Sequence, residues 1–251
     1  MRIYSINFFR RGVSPKNPQA GTYEDLMNGE QNLEGANLRG KNLTKWFSAF
    51  YSVYGKDWIK GLNLRNADLR DCDLTGCYLQ GVNFEGANLE YADLRGSNLR
   101  SANLRGADLR STKMDRIKLD RADLTGANLK YCELRDASLE NAKFVGANLE
   151  NTTLYRSSLY RANLYKAKMF SINLQRANLV QTNLQNAYLR DATLQRADLR
   201  LAFAKDANFT RAIFANTNLD GIDCEGADFR GAFNLTDSQK ERIVRVGGIV
   251  S

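Results

Sequence analysis

ADLRD-CDLTG-CYLQG-VNFEG-ANLEY-ADLRG, residues Ala67 to Gly96, repeats with a period of five residues. With Leu69 as the centre of the first unit, the frame runs without a slip from Leu64 to Phe229, which is 34 consecutive units. Leu fills 25 of the 34 centres; the exceptions are Phe84, Met114, Phe144, Met169, Ala204, Phe209, Phe214, Cys224 and Phe229. Two residues before each centre stands a small or medium residue, Ala in 20 of the 34 units. Neither position ever carries a charge although 25% of the chain is charged, and such exclusion means burial.

The period selects the backbone. In an α-helix five residues advance about 500°, so the apolar pair would drift around the axis and form no stripe. In a flat strand an odd period flips the face in every unit, sending alternate units into water. The chain must therefore turn a corner every five residues, always in the same sense, which makes a solenoid with Leu at its centre and Ala where space is tight.

These units resemble the pentapeptide repeat family, whose pattern is written A(D/N)LXX, and in particular its stand-alone members of cyanobacterial type. The resemblance covers roughly residues 62–233, with a short stretch at Leu33, Leu38 and Leu43. It implies an all-β solenoid, a right-handed quadrilateral β-helix with four pentapeptides per coil, about nine to ten coils and a rod of roughly 45 Å at ~4.8 Å per coil. Leu79, Leu99, Leu119, Leu139, Leu159, Leu179, Leu199 and Leu219 would then form one ladder. Some family members mimic DNA and protect gyrase; those are markedly acidic, whereas this chain carries a net charge of +8.

A length of 251 residues and 43% apolar content suit a soluble domain rather than a disordered or membrane protein. Histidine is absent, which removes the commonest general base and transition-metal ligand. No Gly-rich phosphate loop precedes a helix, and the Asp residues before the centres are explained by turn hydrogen bonding rather than as acid/base pairs. No enzyme activity, cofactor or metal is expected. Cys72, Cys77, Cys132 and Cys224 take inward positions, where a thiol behaves as a small hydrophobe. Cys72 and Cys132 would lie three coils apart, roughly 14 Å, too far for a disulfide. A reducing cytoplasm is expected, with no signal peptide and no membrane insertion.

A stacked solenoid exposes an open edge at each end and needs caps. Thr236-Asp237-Ser238-Gln239 reads as a capping box opening a helix through about Arg245, within a capping segment over 234–251, with Ile243, Val244 and Val246 available to cover the last coil. Residues 1–30 lack the repeat, hold both prolines and are expected to form an irregular lid with a short helix near Tyr23–Met27. First repeats occupy 31–44, and an aromatic-rich excursion fills 45–61. If Ile59 is a centre, Leu33, Leu38, Leu43 and Ile59 make the first coil, Leu33 stacks under Leu64, and about Thr44 to Tyr54 leaves the frame. Trp46, Phe50 and Tyr54 have helical spacing, so a short amphipathic helix ending at Gly55 is expected.

On a regular rod, function belongs to outward positions that depart from the surface norm. Trp46, Phe47, Phe50, Tyr51 and Tyr54 either pack on the solenoid or form a partner-binding protrusion. Tyr155, Tyr160, Tyr165 and Phe170 follow four successive centres and would make an aromatic belt around one coil. The belt either shields backbone or contacts a partner or a second copy as a homodimer. Arg95, Arg135, Arg156, Arg176 and Arg196 would share one face. They are either solvated charge or a nucleic-acid or other polyanion surface, the less favoured partner class because acids are interleaved. The leading expectation is a rigid scaffold or interaction module whose partner is another protein.

Overall fold

The computed structural model describes residues 31–250; the side chains of Val53, Tyr54, Lys56 and Trp58 lie outside that description, as does the expected lid over residues 1–30. Parallel bridges join each residue before a centre to its counterpart twenty positions on, from Asn63↔Asn83 to Ile213↔Phe233. A coil is therefore four pentapeptides. Each side contributes a single bridged residue, too little for an extended strand, so the ladder is a series of isolated bridges rather than a conventional sheet. The four sides are numbered here by their centres: side 1 carries Leu64, side 2 Leu69, side 3 Leu74 and side 4 Leu79, and each repeats in every coil.

The repeat sequence follows from the needs of its main-chain amides, because a buried donor without a partner is costly. In the unit Ala87–Tyr91, Ala87 N–H donates to Phe84 O across the corner (3.0 Å), and Asn88 N–H donates to Ala67 O in the coil below (2.9 Å). Leu89 N–H and Tyr91 N–H donate to Asp108 O and Arg110 O in the coil above (2.7 and 3.1 Å). One amide remains, that of Glu90, and the Asn88 side chain accepts it at 3.1 Å. The Asp or Asn before the centre is thus a local cap for the residue after it.

The corner residue two after each centre has positive φ, near 55–65° at Asn66, Tyr91, Arg121 and Arg196 alike. Glycine adopts this conformation freely and other residues at a cost, which explains why no β-branched side chain occupies that position in any of the 34 units.

Inside, the Leu79-to-Leu219 ladder is buried on side 4, and an unbroken alanine column runs from Ala67 to Ala227 at the entry to side 2. Several of the Ser, Thr and Cys residues that replace alanine in the other columns donate to the carbonyl of a centre in the coil below: Ser97 to Leu74 O at 2.7 Å, Thr152 to Leu129 O at 2.6 Å, Cys132 to Leu109 O at 2.8 Å. Near the carboxyl end small and large centres compensate. Ala204 and Cys224 sit beside Phe209, Phe214 and Phe229, and the rings of Phe209 and Phe229 stack at 4.8 Å.

Helix α1, Thr44–Lys60, fills the gap in the frame and is broken at Gly55 (φ 71°, ψ −170°). Asn32↔Asn63 places Leu33 under Leu64, and Ile59 is buried with its carbonyl accepting Leu62 N–H at 3.0 Å, the corner bond made by each centre from Leu64 to Phe229. Helix α2, Asp237–Arg245, opens on Thr236, which exchanges side-chain and main-chain bonds with Gln239. One expectation for this helix needs correction. Ile243 is buried, but Val244 and Val246 are 59% and 44% exposed: at about 100° per residue Val244 turns away from the face that Ile243 presents, and Val246 lies past the end of the helix. After α2 the chain returns, and Ile249 exchanges bonds with Ala227 O and Phe229 N–H (2.9 and 2.7 Å), closing that stretch of edge.

Candidate functional site: the corner between sides 3 and 4

The outward positions separate into groups the sequence could not distinguish. Trp46, Phe47 and Phe50 are buried in the core cluster, with Trp46 stacked on Phe50 (4.2 Å) and edge-on to Phe47 (4.8 Å). These three pack against the solenoid, the first of the two alternatives for them. Tyr51 is half-buried and stacks on Tyr78 of side 4 at 4.3 Å. The Tyr54 side chain lies outside the described residues.

Tyr155, Tyr160, Tyr165 and Phe170 occupy sides 3, 4, 1 and 2 of one coil and are each half-buried. Arg161 lies over the Tyr160 ring (4.9 Å), Lys166 over the Tyr165 ring (5.0 Å), and Phe170 stacks on Tyr188 (5.8 Å). Tyr160 O–H also donates to Gln181 Oε1 at 3.2 Å. No flat surface touches all four, so a partner reaches at most two neighbours across a corner.

The arginines share a face, as the bridges from Asp93 through Thr193 on side 3 require, but most are neutralised. Arg95 Nε donates to Asp93 at 2.8 Å. Arg135 pairs with Asp115 (3.1 Å) and Glu133 (2.7 Å), and Arg156 with Asp136 (3.0 Å). Arg176 and Arg196 are exposed and make no ion pair among the described residues. Sequence reading grouped all five because pairing depends on which side chains stack, and that needs the coil length.

Two of the clefts among the described residues lie on the walls of sides 3 and 4. The larger, about 440 Å³, is lined by Gln80, Arg100, Asp120, Arg121, Ser138 and Glu140. Its Arg100–Asp120 pair closes at 2.6 Å, so much of its charge is spent internally. The other, about 280 Å³, is lined by Tyr155, Gln175, Arg176, Gln195, Arg196 and Asn216, with Ala215 on its wall and no carboxylate. Sequence reading missed Gln175 and Gln195; the signal was their spacing of twenty, which stacks them beside the two arginines.

Among the described residues no group of His, Cys, Asp or Glu is arranged to hold a metal ion. Burial pushes the Cys72 and Cys224 thiols up to about 11 and Cys77 to about 12, and raises Cys132 as well, so none is a poised nucleophile. No described helix is long and apolar enough to cross a membrane.

A coil of four five-residue units, capped by its own Asp and Asn side chains, defines a β-solenoid of tandem pentapeptides. The chain belongs to the pentapeptide repeat family: eight copies of the family's repeats match, over residues 63–100, 102–137, 132–169, 167–203 and 206–239. With membership comes the right-handed quadrilateral winding that the resemblance implied. Similar solved structures include HetL, a pentapeptide repeat protein involved in heterocyst differentiation regulation from the cyanobacterium Nostoc sp. strain PCC 7120. It is 27% identical over 84% of this chain and 92% of its own, with a TM-score of 0.39. Rfr23 from the cyanobacterium Cyanothece 51142 is 30% identical over 36% of this chain and 63% of its own, with a TM-score of 0.36. QnrB1, a plasmid-mediated fluoroquinolone resistance protein, is 19% identical in a trypsin-treated form over 73% of this chain and 86% of its own, with a TM-score of 0.36. Comparison with curated proteins finds no match.

Proposed function

We propose that this chain is a non-enzymatic cytoplasmic scaffold that binds another protein along the corner between sides 3 and 4. The observation that carries the reading is the arrangement at that corner: Tyr155 and Tyr160 flank Arg156, with Arg176 stacked one coil further along. Aromatic and arginine side chains held on a rigid support are the types that anchor interfaces. Elsewhere the inward positions are spent on packing and the turns on amide hydrogen bonds, which leaves the outward side chains to carry recognition. Four buried, unpaired cysteines support a reducing compartment. The carboxylates on Arg95, Arg135 and Arg156 argue against a nucleic acid tracking the whole face.

Affinity capture from extract of the native organism tests this, comparing wild type with the double change Tyr155→Ser and Tyr160→Ser. A protein held by wild type and lost by the variant supports the reading. Identical captured sets contradict it.

A further inference from the structure

We propose that Arg176 and Arg196 form an oxyanion site on side 3, shaped for one carboxylate or phosphate monoester group. Arg156, Arg176 and Arg196 stand at the same corner of three successive coils, all with φ near 57–59°. Like charges stacked one above another repel, and this molecule usually avoids that cost by alternating sign. Asp136 lies beneath Arg156 at 3.0 Å, Asp191 beneath Arg211 at 2.8 Å, and Glu225 above Lys205 at 2.7 Å. Even where Arg110 stacks under Lys130, each cation has its own acid, Glu90 at 3.2 Å and Glu150 at 2.8 Å.

Arg176 and Arg196 depart from that rule. The carboxylate nearest Arg196 in sequence, Asp198, is held by Arg200 through bonds of 2.9 and 2.7 Å, and those bonds keep it below the usual carboxylate range. Both arginines line the cleft of about 280 Å³, whose other polar side chains are the amides of Gln175, Gln195 and Asn216 and the Tyr155 hydroxyl. Every one of these groups can donate, and none is an anion. Their backbones stand one coil apart, roughly 4.8 Å, so the two planar forks can converge on a group with several acceptor oxygens, the chemistry in which arginine exceeds lysine. The proposal needs no protein partner and stands or falls separately from the docking surface above.

The full-length protein at low salt is titrated with inorganic phosphate and, separately, acetate, following the arginine Nε–H resonances by NMR. The expected result is a saturable shift of the Arg176 and Arg196 signals together. Arg176→Gln and Arg196→Gln should each weaken binding by roughly tenfold or more, and Arg176→Lys should weaken it too. Arg95→Gln, which removes an already paired cation, should change it less than about twofold. Tighter phosphate binding assigns the site to phosphate esters, tighter acetate binding to carboxylates, and both sustain the site. Absence of a saturable shift, or equal weakening by Arg95→Gln, overturns it.

Discussion

Asp115 reaches up one coil to accept the main-chain N–H of Arg135 at 2.8 Å, while its second oxygen holds the Arg135 guanidinium at 3.1 Å. The arrangement repairs a local defect. In that unit Glu133 stands where Asp or Asn normally caps the amide two residues on, and its longer side chain instead reaches the Arg135 guanidinium at 2.7 Å. Asp120 does the same one unit later for Glu140 N–H, at 3.2 Å, where Ser138 precedes the centre.

The repair predicts a coupling between neighbouring coils. Asp115→Ala should cost about 1–2 kcal/mol in urea denaturation, the usual loss for a capping oxygen. In a Glu133→Asn background, where the short amide can cap locally, the same change should cost measurably less. Equal losses in the two backgrounds would show that the cross-coil bond carries no weight.

Corner conformation predicts a second effect. An added Cβ at Gly126 would meet nothing within 4 Å, so a substitution there reports backbone strain alone. With φ at 69°, Gly126→Val should destabilise by about 1–2 kcal/mol, and more than Gly126→Asn. Similar urea midpoints for the two variants would contradict the corner assignment.

Core volume predicts a third. Ala204 is a small centre next to Phe209, so Ala204→Leu should overpack the coil and cost about 1–3 kcal/mol. Adding Phe209→Leu should recover part of that loss, since residues sharing a core couple. Strict additivity in thermal denaturation would mean the two do not share space.

Acid should weaken the fold, and the sign follows from the carboxylates. Hydrogen bonds from the guanidinium groups of Arg70, Arg200 and Arg230 hold Asp68, Asp198 and Asp228 below the ordinary 3.8. A group depressed in the folded state stabilises it above its unfolded value, and that contribution drains away as pH falls through the folded value. The urea midpoint should therefore drop below about pH 4 and drop less steeply in an Arg200→Gln, Arg230→Gln double variant. A midpoint that rises on acidification would refute the assignment.

Much of the architecture was legible because one constraint, an uncharged pair in every five residues, recurs through 34 units. The capping helix was legible for a local reason: Thr236 and Gln239 satisfy each other within four residues. What could not be read depends on stacking. The period fixes a corner but not the number of corners per coil, so the match of Asp136 to Arg156 and the lack of one for Arg176 were hidden. Burial of Trp46 and Phe50 was equally hidden, since an aromatic stripe at helical spacing looks the same whether it faces the rod or a partner. Val244 was misjudged because a short helix offers the end of a rod only one of its faces.

The twenty-residue coil is tested most directly by distances between spin labels on corner cysteines introduced at Tyr91, Ser171 and Arg211. The four native thiols are buried with raised pKa values and should stay unlabelled in the folded protein. Positions 91 and 171 lie four coils apart and 91 and 211 six, so the distances should be about 19 and 29 Å before label length, differing by about 10 Å. Equal distances, or a difference more than about twice that, would contradict a chain that rises one strand spacing with every four pentapeptides.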